Sequence, residues 1–408
     1  MKNKLWTKDF SFMTAATTLA IIGGEAMNLP ISLLVFEETQ STFLSSIVMI
    51  CGMLPDVILP IFIAPMIDKG SKKKWLVTLD ILQAISYLIM GIWITGHSFS
   101  YALYIVFVLV VGTISVFTRL TYNSWYPDLI PIGSEQKGFA VSATIYPFVT
   151  IVMAPVATFM YQSLSMSTIF FIITGITVVS IAAESMINEV AAKAKEKYTF
   201  ERYKSDIKEG FTYIKKEKGI RNIYTYMSIT NGVGNGISNI TQAYYQSTPM
   251  FTVTMLGFLK SAEMLGRVLS GLFQYTKKIP VEKRYALTKF VYAFYDLSDA
   301  FALFMPYPFM LVDRFICGAL GTTTATIRET AVMSYLPVNM RARVNALFNV
   351  FFSIGGVMFQ LIAGMMGQYM SYRSVALILG LFTGVVMVIF IVIPKKENKP
   401  IYEAERKA

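Results

Sequence analysis

Charged residues are scarce in this chain of 408 residues: Asp, Glu, Lys and Arg make up 15% of it, whereas hydrophobic residues make up 54%. Soluble domains carry ~25% charged residues on average, so an ordinary water-soluble protein is excluded. The two cysteines, Cys51 and Cys317, both lie in apolar segments, so we expect neither a disulfide framework nor a metal site. The chain also lacks the G-x-x-x-x-G-K-[ST] pattern, which argues against a P-loop ATPase.

The hydrophobic residues fall in long blocks, such as ALYIVFVLVVGTISVF at 102–117 and VALILGLFTGVVMVIFIVI at 375–393. Apolar helices of ~20 residues cross a bilayer, and the hydrocarbon core requires that every backbone group be paired internally. The short alternating strands of a membrane β-barrel are not visible. The pattern therefore predicts an all-α integral membrane protein.

We count twelve such blocks and predict twelve transmembrane helices. Their approximate limits are 10–36, 42–66, 75–97, 101–123, 139–162, 167–187, 221–246, 250–274, 286–305, 308–330, 344–368 and 374–394. Lys and Arg concentrate before the first block, after the second, eighth, tenth and twelfth, and in the 188–220 segment, whereas the opposite connections hold one clear base, Arg373. Because positive residues stay on the cytoplasmic side, both termini are predicted to be cytoplasmic.

The two halves of the chain show a weak internal repeat. With an offset of 206 positions, Gly112 meets Gly318 and Thr118 meets Thr324. Together with the polar 188–220 segment, this favours two parallel six-helix bundles. We predict an N-terminal bundle at 1–187, a cytoplasmic loop with an amphipathic helix at 188–220, a C-terminal bundle at 221–394 and a cytoplasmic tail at 395–408.

Three segments carry a resemblance to a known family. They are IAPMIDKGSKKKW at 63–75, SDIKEGFTYIKKEKGIR at 205–221 and YLPVNMRARVNAL at 335–347. The first resembles the D-R-x-x-R-R signature between the second and third spans of major facilitator superfamily transporters. The other two are similar to segments of the macrolide-efflux-type, drug:proton antiporter branch. The resemblance covers the whole chain, although lysine replaces arginine in the signature and MAPVATFMY at 153–161 departs from the family's fifth-span motif.

In this family the signature forms a cytoplasmic gate, which here implies a gate motif of Asp68, Lys69, Lys72 and Lys73. An acid at a helix end can hold a neighbouring helix N-terminus or a base. Lysine loses the bidentate pairing that arginine provides. The alternative is a loop that only sets the topology.

Polar residues recur at helical spacing on the first, fourth, seventh and tenth spans, which line the central cavity in the resembled fold. The candidate cavity residues are Asn28, Ser32, Arg119, Tyr122, Asn231, Asn235, Asn239, Gln242, Asp313, Thr324 and Arg328. Steps of three or four place each set on one helix face. The alternative is that these side chains join neighbouring helices.

Carboxyl groups inside the apolar blocks are candidates for proton coupling, because charged groups there are costly. We select Glu25, Asp56 and Glu263. Asp56 has no base within one turn, whereas Glu263 lies four residues before Arg267 and can pair with it. Glu184 lies near a cytoplasmic end and is a candidate partner of the gate.

The resemblance implies proton-coupled efflux of hydrophobic or amphipathic small molecules by alternating access. Two alternatives remain open: a dedicated exporter of one native siderophore, peptide or lipid, and a non-transporting membrane sensor or scaffold. We expect no enzymatic activity, no catalytic residue, no cofactor, no metal and no nucleic-acid partner. The expected partners are membrane lipids, a small-molecule substrate and protons, for a multi-pass monomer in a bacterial plasma membrane.

Overall fold

The computed structural model describes residues 5–60, 71–131, 134–188, 200–276, 279–337 and 340–404. These ranges contain helices and no strand. The α-helices are α1 (Lys8–Thr39), α2 (Thr42–Ile58), α3 (Lys72–Gly96), α4 (Tyr101–Leu129), α5 (Glu135–Ser163), α6 (Met166–Ser185), α7 (Phe200–Lys216), α8 (Lys218–Ser247), α9 (Val253–Thr276), α10 (Val281–Phe301), α11 (Tyr307–Tyr335), α12 (Arg341–Tyr369), α13 (Tyr372–Met387) and α14 (Lys395–Tyr402). A 3₁₀ turn covers Ala302–Phe304, and a π-helical turn covers Val388–Val392.

Each predicted apolar block overlaps one of these helices, although the end of the 42–66 block lies outside the described residues; α7 and α14 lie outside the blocks. Within the described residues, seven helices are long and apolar enough to cross a bilayer: α1, α3, α4, α5, α6, α12 and α13. A protein with these helices is a multi-pass membrane protein. The other five crossings and the cytoplasmic placement of the termini remain predictions.

Serine residues set the starts of three helices. Ser71, Ser165 and Ser371 each precede a helix in extended conformation, and each side chain accepts a hydrogen bond from the backbone N–H three residues later. This N-cap pairs a backbone donor that the helix leaves open. The short connections between the apolar helices therefore end at defined residues.

The chain forms two compact units. Unit 1 comprises Met1–Glu38, Val48–Phe200 and Val253–Gly257, and unit 2 comprises Thr39–Ile47, Glu201–Thr252 and Phe258–Ala408. The first turns of α2 thus belong to unit 2 and its remainder to unit 1.

Unit 1 is built around the buried apolar faces of α1, α3, α4 and α6. Tyr87, Phe107 and Phe170 lie at its centre with their rings in mutual contact. Unit 2 has a core rich in tyrosine, in which the rings of Tyr226 and Tyr292 contact each other at a tilted angle. The Tyr292 and Tyr402 hydroxyls are 3.2 Å apart, and the Tyr226 hydroxyl donates to the Asp296 carboxylate at 3.3 Å, so these three buried phenols have polar partners.

Glycines allow two equivalent helix crossings. A Cβ on Gly112 of α4 would meet the Gly52 carbonyl of α2, and a Cβ on Gly318 of α11 would meet the Glu263 carbonyl of α9. Small residues permit such close helix contacts in membranes. The internal repeat matches these two positions, and in each unit the glycine allows two helices to pack closely.

The last helix, α14, is docked on unit 2 through a polar anchor. Asn398 is fully buried, and its amide donates to the Phe390 carbonyl at 2.7 Å and the Ile391 carbonyl at 3.2 Å. Both carbonyls belong to the π-helical turn, where the regular helical pattern is interrupted. Part of the segment predicted as a tail is therefore a packed element of unit 2.

Candidate functional site

Unit 1 contains a cavity of about 740 Å³. Its wall is formed by residues of α1–α6. A volume of this size lies in the range of small-molecule sites, ~300–1,000 Å³. Among the residues that the structure describes, no group of three or more His, Cys, Asp or Glu side chains is arranged to hold a metal ion.

Methionine side chains give the cavity a deformable apolar wall. Met13, Met27, Met49 and Met53 all line it. The unbranched thioether side chain adapts to ligands of different shape. The wall therefore suits apolar groups without a fixed outline.

A charged pair lies in the same wall. The guanidinium of Arg119 on α4 donates to the carboxylate of Asp56 on α2, and the two side chains are 52% and 48% exposed. Asp56 has no base within one turn of its own helix, and the structure gives it a partner from another helix. The pair places one positive and one negative group at the cavity surface.

The predicted polar faces of the first and fourth spans largely point into this cavity. Asn28, Ser32, Arg119 and Tyr122 all line it. Glu25, whose side chain is 8% exposed, is buried in α1 and is not part of the cavity wall formed by the described residues. The structure thus separates Glu25 from the other candidates on its own helix.

The amide residues of α8 contact neighbouring helix segments within unit 2. The Asn231 amide donates to the Phe352 carbonyl of α12 at 3.2 Å. The Asn239 amide donates to the Thr42 carbonyl at 3.1 Å and to the Ser46 hydroxyl at 2.7 Å. For these two residues the structure favours the alternative in which polar side chains join helices.

The other two amide residues of α8, Asn235 and Gln242, are less exposed than we expected for residues that line a cavity. Gln242 is buried, and Asn235 lies beside Asn231 at the α12 glycine Gly356. Close contact between α8 and α12 accounts for this, because Gly232 packs directly on the Gly355 carbonyl.

The candidates on α11 also have internal partners. Asp313 accepts a hydrogen bond from Ser298 at 2.8 Å and pairs with Arg314 at 3.0 Å. Arg314 in turn pairs with Asp299 at 2.9 Å. Buried charges normally occur in such satisfied networks.

Two further α11 candidates differ in their surroundings. The Thr324 hydroxyl donates back to the Gly321 carbonyl at 3.1 Å. Arg328 lies 5.8 Å from the centre of the Phe348 ring and 3.5 Å from the Glu329 carboxylate.

Glu263 forms the local ion pair that its spacing allowed. Arg267 Nη2 lies 2.6 Å and Arg267 Nε 3.1 Å from Glu263 Oε1. Both nitrogens contact the same carboxylate oxygen, so Arg267 holds one side of the Glu263 carboxylate.

Half of the gate motif can be placed. Asp68 and Lys69 lie outside the described residues. Lys72 pairs with Asp128 at 3.0 Å and donates to the Ser124 carbonyl at 2.9 Å. Lys73 donates to two carbonyls at the end of α6, those of Ser185 and Ile187, at 2.7 Å each. Both described lysines thus brace helix ends inside unit 1.

One functional candidate was not selected from the sequence, and another was given a different role. Asp80 of α3 was not selected, and Glu184 of α6 was expected to be a gate partner; both lie in the cavity wall. The signal was present, because Asp80 is a carboxyl residue within an apolar block, the criterion applied to Asp56.

Comparison with known proteins identifies the type of molecule. Residues 13–295 and 285–408 match the model of the Major Facilitator Superfamily. No curated protein matches the sequence. Solved structures with the same fold include the nucleoside transporter NupG, with a TM-score of 0.72, 14% identity and coverage of 95% of this chain and 99% of that chain.

Two other structures are comparable. A POT family transporter in complex with 5-aminolevulinic acid has a TM-score of 0.68 and 9% identity, covering 95% of this chain and 96% of its own. A bacterial homolog of the human lysosomal transporter Spinster has a TM-score of 0.65 and 13% identity, covering 98% of both chains. At these identities the similarity concerns the fold.

Proposed function

Because the chain belongs to the Major Facilitator Superfamily, we propose that it exports hydrophobic or amphipathic small molecules by proton-coupled alternating access. Membership makes it a secondary transporter rather than an enzyme. Its assignment to the macrolide-efflux-type, drug:proton antiporter branch rests on the three segments quoted above. A monomer in the plasma membrane of a bacterium is part of the same proposal.

The cavity of unit 1 is the observation that supports this substrate class. Four methionines provide an adaptable apolar wall, and the Asp56–Arg119 pair provides a polar anchor of both signs. Amphipathic compounds combine the two features that such a wall recognises. A dedicated exporter of one native metabolite is the alternative, and a sensor or scaffold is disfavoured because it needs no such cavity.

Proton coupling supplies the energy for export in this proposal. A proton that moves inward through ~100 mV yields ~2.3 kcal/mol, which can drive an uphill step. Glu25 is our first candidate for the coupling group because a carboxyl buried in an apolar helix is poorly solvated when ionised. Asp56 is the second candidate. Glu263 is the third, and its pairing with Arg267 supports a structural role for it instead.

The test of the function is accumulation of labelled amphiphiles in cells with and without the protein, each with and without a proton gradient. We expect lower accumulation in cells that contain the protein, and loss of the difference when an uncoupler removes the gradient. Equal accumulation in all four conditions, across cationic, neutral and anionic probes, would exclude this export activity.

Glu25→Gln tests the coupling group, because glutamine mimics the neutral carboxyl. We expect this variant to bind probes and exchange them without a gradient, but to lose at least ~90% of proton-driven efflux, a tenfold change equivalent to ~1.4 kcal/mol. The exposed Glu282→Gln, in the first turn of α10, is the control and should keep the wild-type rate. If Glu25→Gln keeps pH-dependent efflux while Asp56→Asn abolishes it, the coupling proton is carried by α2.

A further inference from the structure

Two buried carboxyl groups meet in unit 1. Asp80 of α3 and Glu184 of α6 are each 4% exposed, both line the cavity, and their carboxyl groups lie within hydrogen-bonding reach of each other. Ionised carboxylates carry only acceptors. A hydrogen bond between two carboxyl groups therefore requires a proton on one of them.

Within the described ranges, the bases near these two carboxyl groups are bound elsewhere. In the described part of the chain, neither carboxyl forms an ion pair, and Glu184 Oε2 is buried without a hydrogen-bond partner. Lys73, one of three lysines on the first turn of α3, is bound to the carbonyls of Ser185 and Ile187. Two bare carboxylates in contact would repel each other strongly at a buried position.

The other charged groups of the described cavity wall, and Lys72 near it, are paired elsewhere. Arg119 and Asp56 pair with each other, and Lys72 pairs with Asp128. Tyr87, which faces Asp80, accepts a hydrogen bond from Gln83.

The hydroxyl groups of the neighbouring helices are also occupied. Ser180 on α6 donates to the Ala16 carbonyl of α1 at 3.2 Å, and Thr17 on α1 donates to the Met13 carbonyl at 2.8 Å. The Tyr122 hydroxyl of α4 lies 3.2 Å from that of Ser142 on α5. These three hydroxyl groups therefore have partners other than the two carboxyl groups.

The position of Glu184 at the end of a helix is a second reason why one of the two carboxyl groups should be protonated. It lies in the last turn of α6, which ends at Ser185. The C-terminal end of a helix carries partial negative charge and disfavours further negative charge nearby. Lys73 compensates the carbonyls at this end rather than the carboxyl pair.

Both carboxyl residues also line the cavity. The pair is thus buried by the protein on most sides and adjoins the space that a substrate and water can enter. A proton shared in this place can leave through the cavity without crossing the packed core.

We propose that Asp80 and Glu184 form a proton-binding site that holds one proton between them and exchanges it with the cavity. The site binds and releases a proton only; no bond other than O–H forms or breaks. Its use in coupling rests on the proposed function, but its existence does not.

Infrared spectroscopy of the purified full chain in lipid nanodiscs tests the site directly. The C=O stretching band of protonated carboxyl groups is recorded while the pH is raised. We expect the wild-type band to contain a component of one carboxyl equivalent that disappears as the shared proton is released. Asp80→Asn and Glu184→Gln should each lack this component, since the new amide donates to the remaining carboxylate and replaces the proton.

The exposed Glu282→Gln is the matched control and should retain the component. The two test variants are independent, so either one that folds is decisive; size-exclusion profiles establish folding. The proposal is overturned if a folded variant keeps the pH-dependent component, or if the wild-type band does not change with pH.

Transport of the labelled probes by the same preparations separates this site from the proposed function. If the wild type moves no probe under a proton gradient while its band behaves as expected, the export proposal fails and the site stands. If the wild type exports probes and the band component is missing, the site fails and export stands.

Discussion

The contact between Asp56 and Arg119 changes the role that we expect of both residues. Alone, each would be a charge at the edge of an apolar cavity and costly to keep there. Paired and half exposed, they contribute little to stability, on the order of 0–1 kcal/mol. Their influence is expected in the choice of ligand rather than in the fold.

Neutralising one member of the pair should therefore change the preferred charge of the substrate. Asp56→Asn leaves Arg119 uncompensated and should improve binding of anionic amphiphiles about two- to fivefold, as expected for a charge contact of ~0.5–1 kcal/mol. Arg119→Gln should favour cationic amphiphiles by a similar factor. Fluorescence binding without a proton gradient, with matched cationic, neutral and anionic probes, measures this.

The double variant Asp56→Asn with Arg119→Gln is the control, because it removes both charges together. Its preference should return towards that of the wild type. Identical probe affinities in all four proteins would show that the pair lies outside the binding region.

The Asn398 side chain holds α14 in place by donating hydrogen bonds to two backbone carbonyls. Asn398→Leu keeps a similar volume but leaves the Phe390 carbonyl without its 2.7 Å donor, whereas the Ile391 carbonyl keeps the Tyr285 hydroxyl at 2.6 Å. An unsatisfied buried acceptor costs ~1–3 kcal/mol, so the midpoint of thermal unfolding should fall by several degrees. Lys399→Ala, on the same helix, should change it little, and an equal fall for both would contradict the anchoring role.

At the scale of helices, the crossings at Gly112 and Gly318 leave no space for a side chain. Alanine at either position would bring a methyl group against a carbonyl of the neighbouring helix. Such overpacking costs ~1–3 kcal/mol. Gly112→Ala and Gly318→Ala should both lower the yield of folded protein and its unfolding midpoint in detergent.

Gly175 and Gly271 provide matched controls, one in each unit. A Cβ at either position meets nothing within 4 Å, so alanine there should be neutral or slightly stabilising because it favours the helix. Equal losses for all four substitutions would indicate that helix crossing is not the cause.

Spacing along one helix predicted some contacts well and could not predict others. The Glu263–Arg267 pair follows from a separation of four residues, and the equivalence of Gly112 and Gly318 follows from the repeat. Asp80 and Glu184 lie on different helices and are 104 positions apart in the chain. Which helices pack together depends on the tertiary fold, and no periodicity in a single sequence specifies it.

The same limitation explains the amides of α8. Their spacing correctly predicts one polar helix face, but the sequence cannot specify whether that face meets a cavity or another helix. Asn231 and Asn239 lie where segments contact α8 closely, and their amides bind carbonyls there.

For the molecule as a whole, the distribution of Lys and Arg predicts how the chain is oriented in the membrane. The 188–220 segment, α7 and the region after α2 are predicted to face the cytoplasm, whereas the connections at His97 and Met250 face outside. The structure provides exposed positions for a test on both sides, including Lys208 on α7. The basic residues determine which side each connection takes.

Cysteine labelling in intact cells decides this topology. In a background where Cys51 and Cys317 are replaced by serine, Lys208→Cys should resist a membrane-impermeant thiol reagent and react fully after permeabilisation. His97→Cys and Met250→Cys, both at exposed positions, should react in intact cells. The reverse pattern would invert the orientation, and with it the direction of proton movement that export requires; labelling of all three in intact cells would exclude the twelve-span arrangement itself.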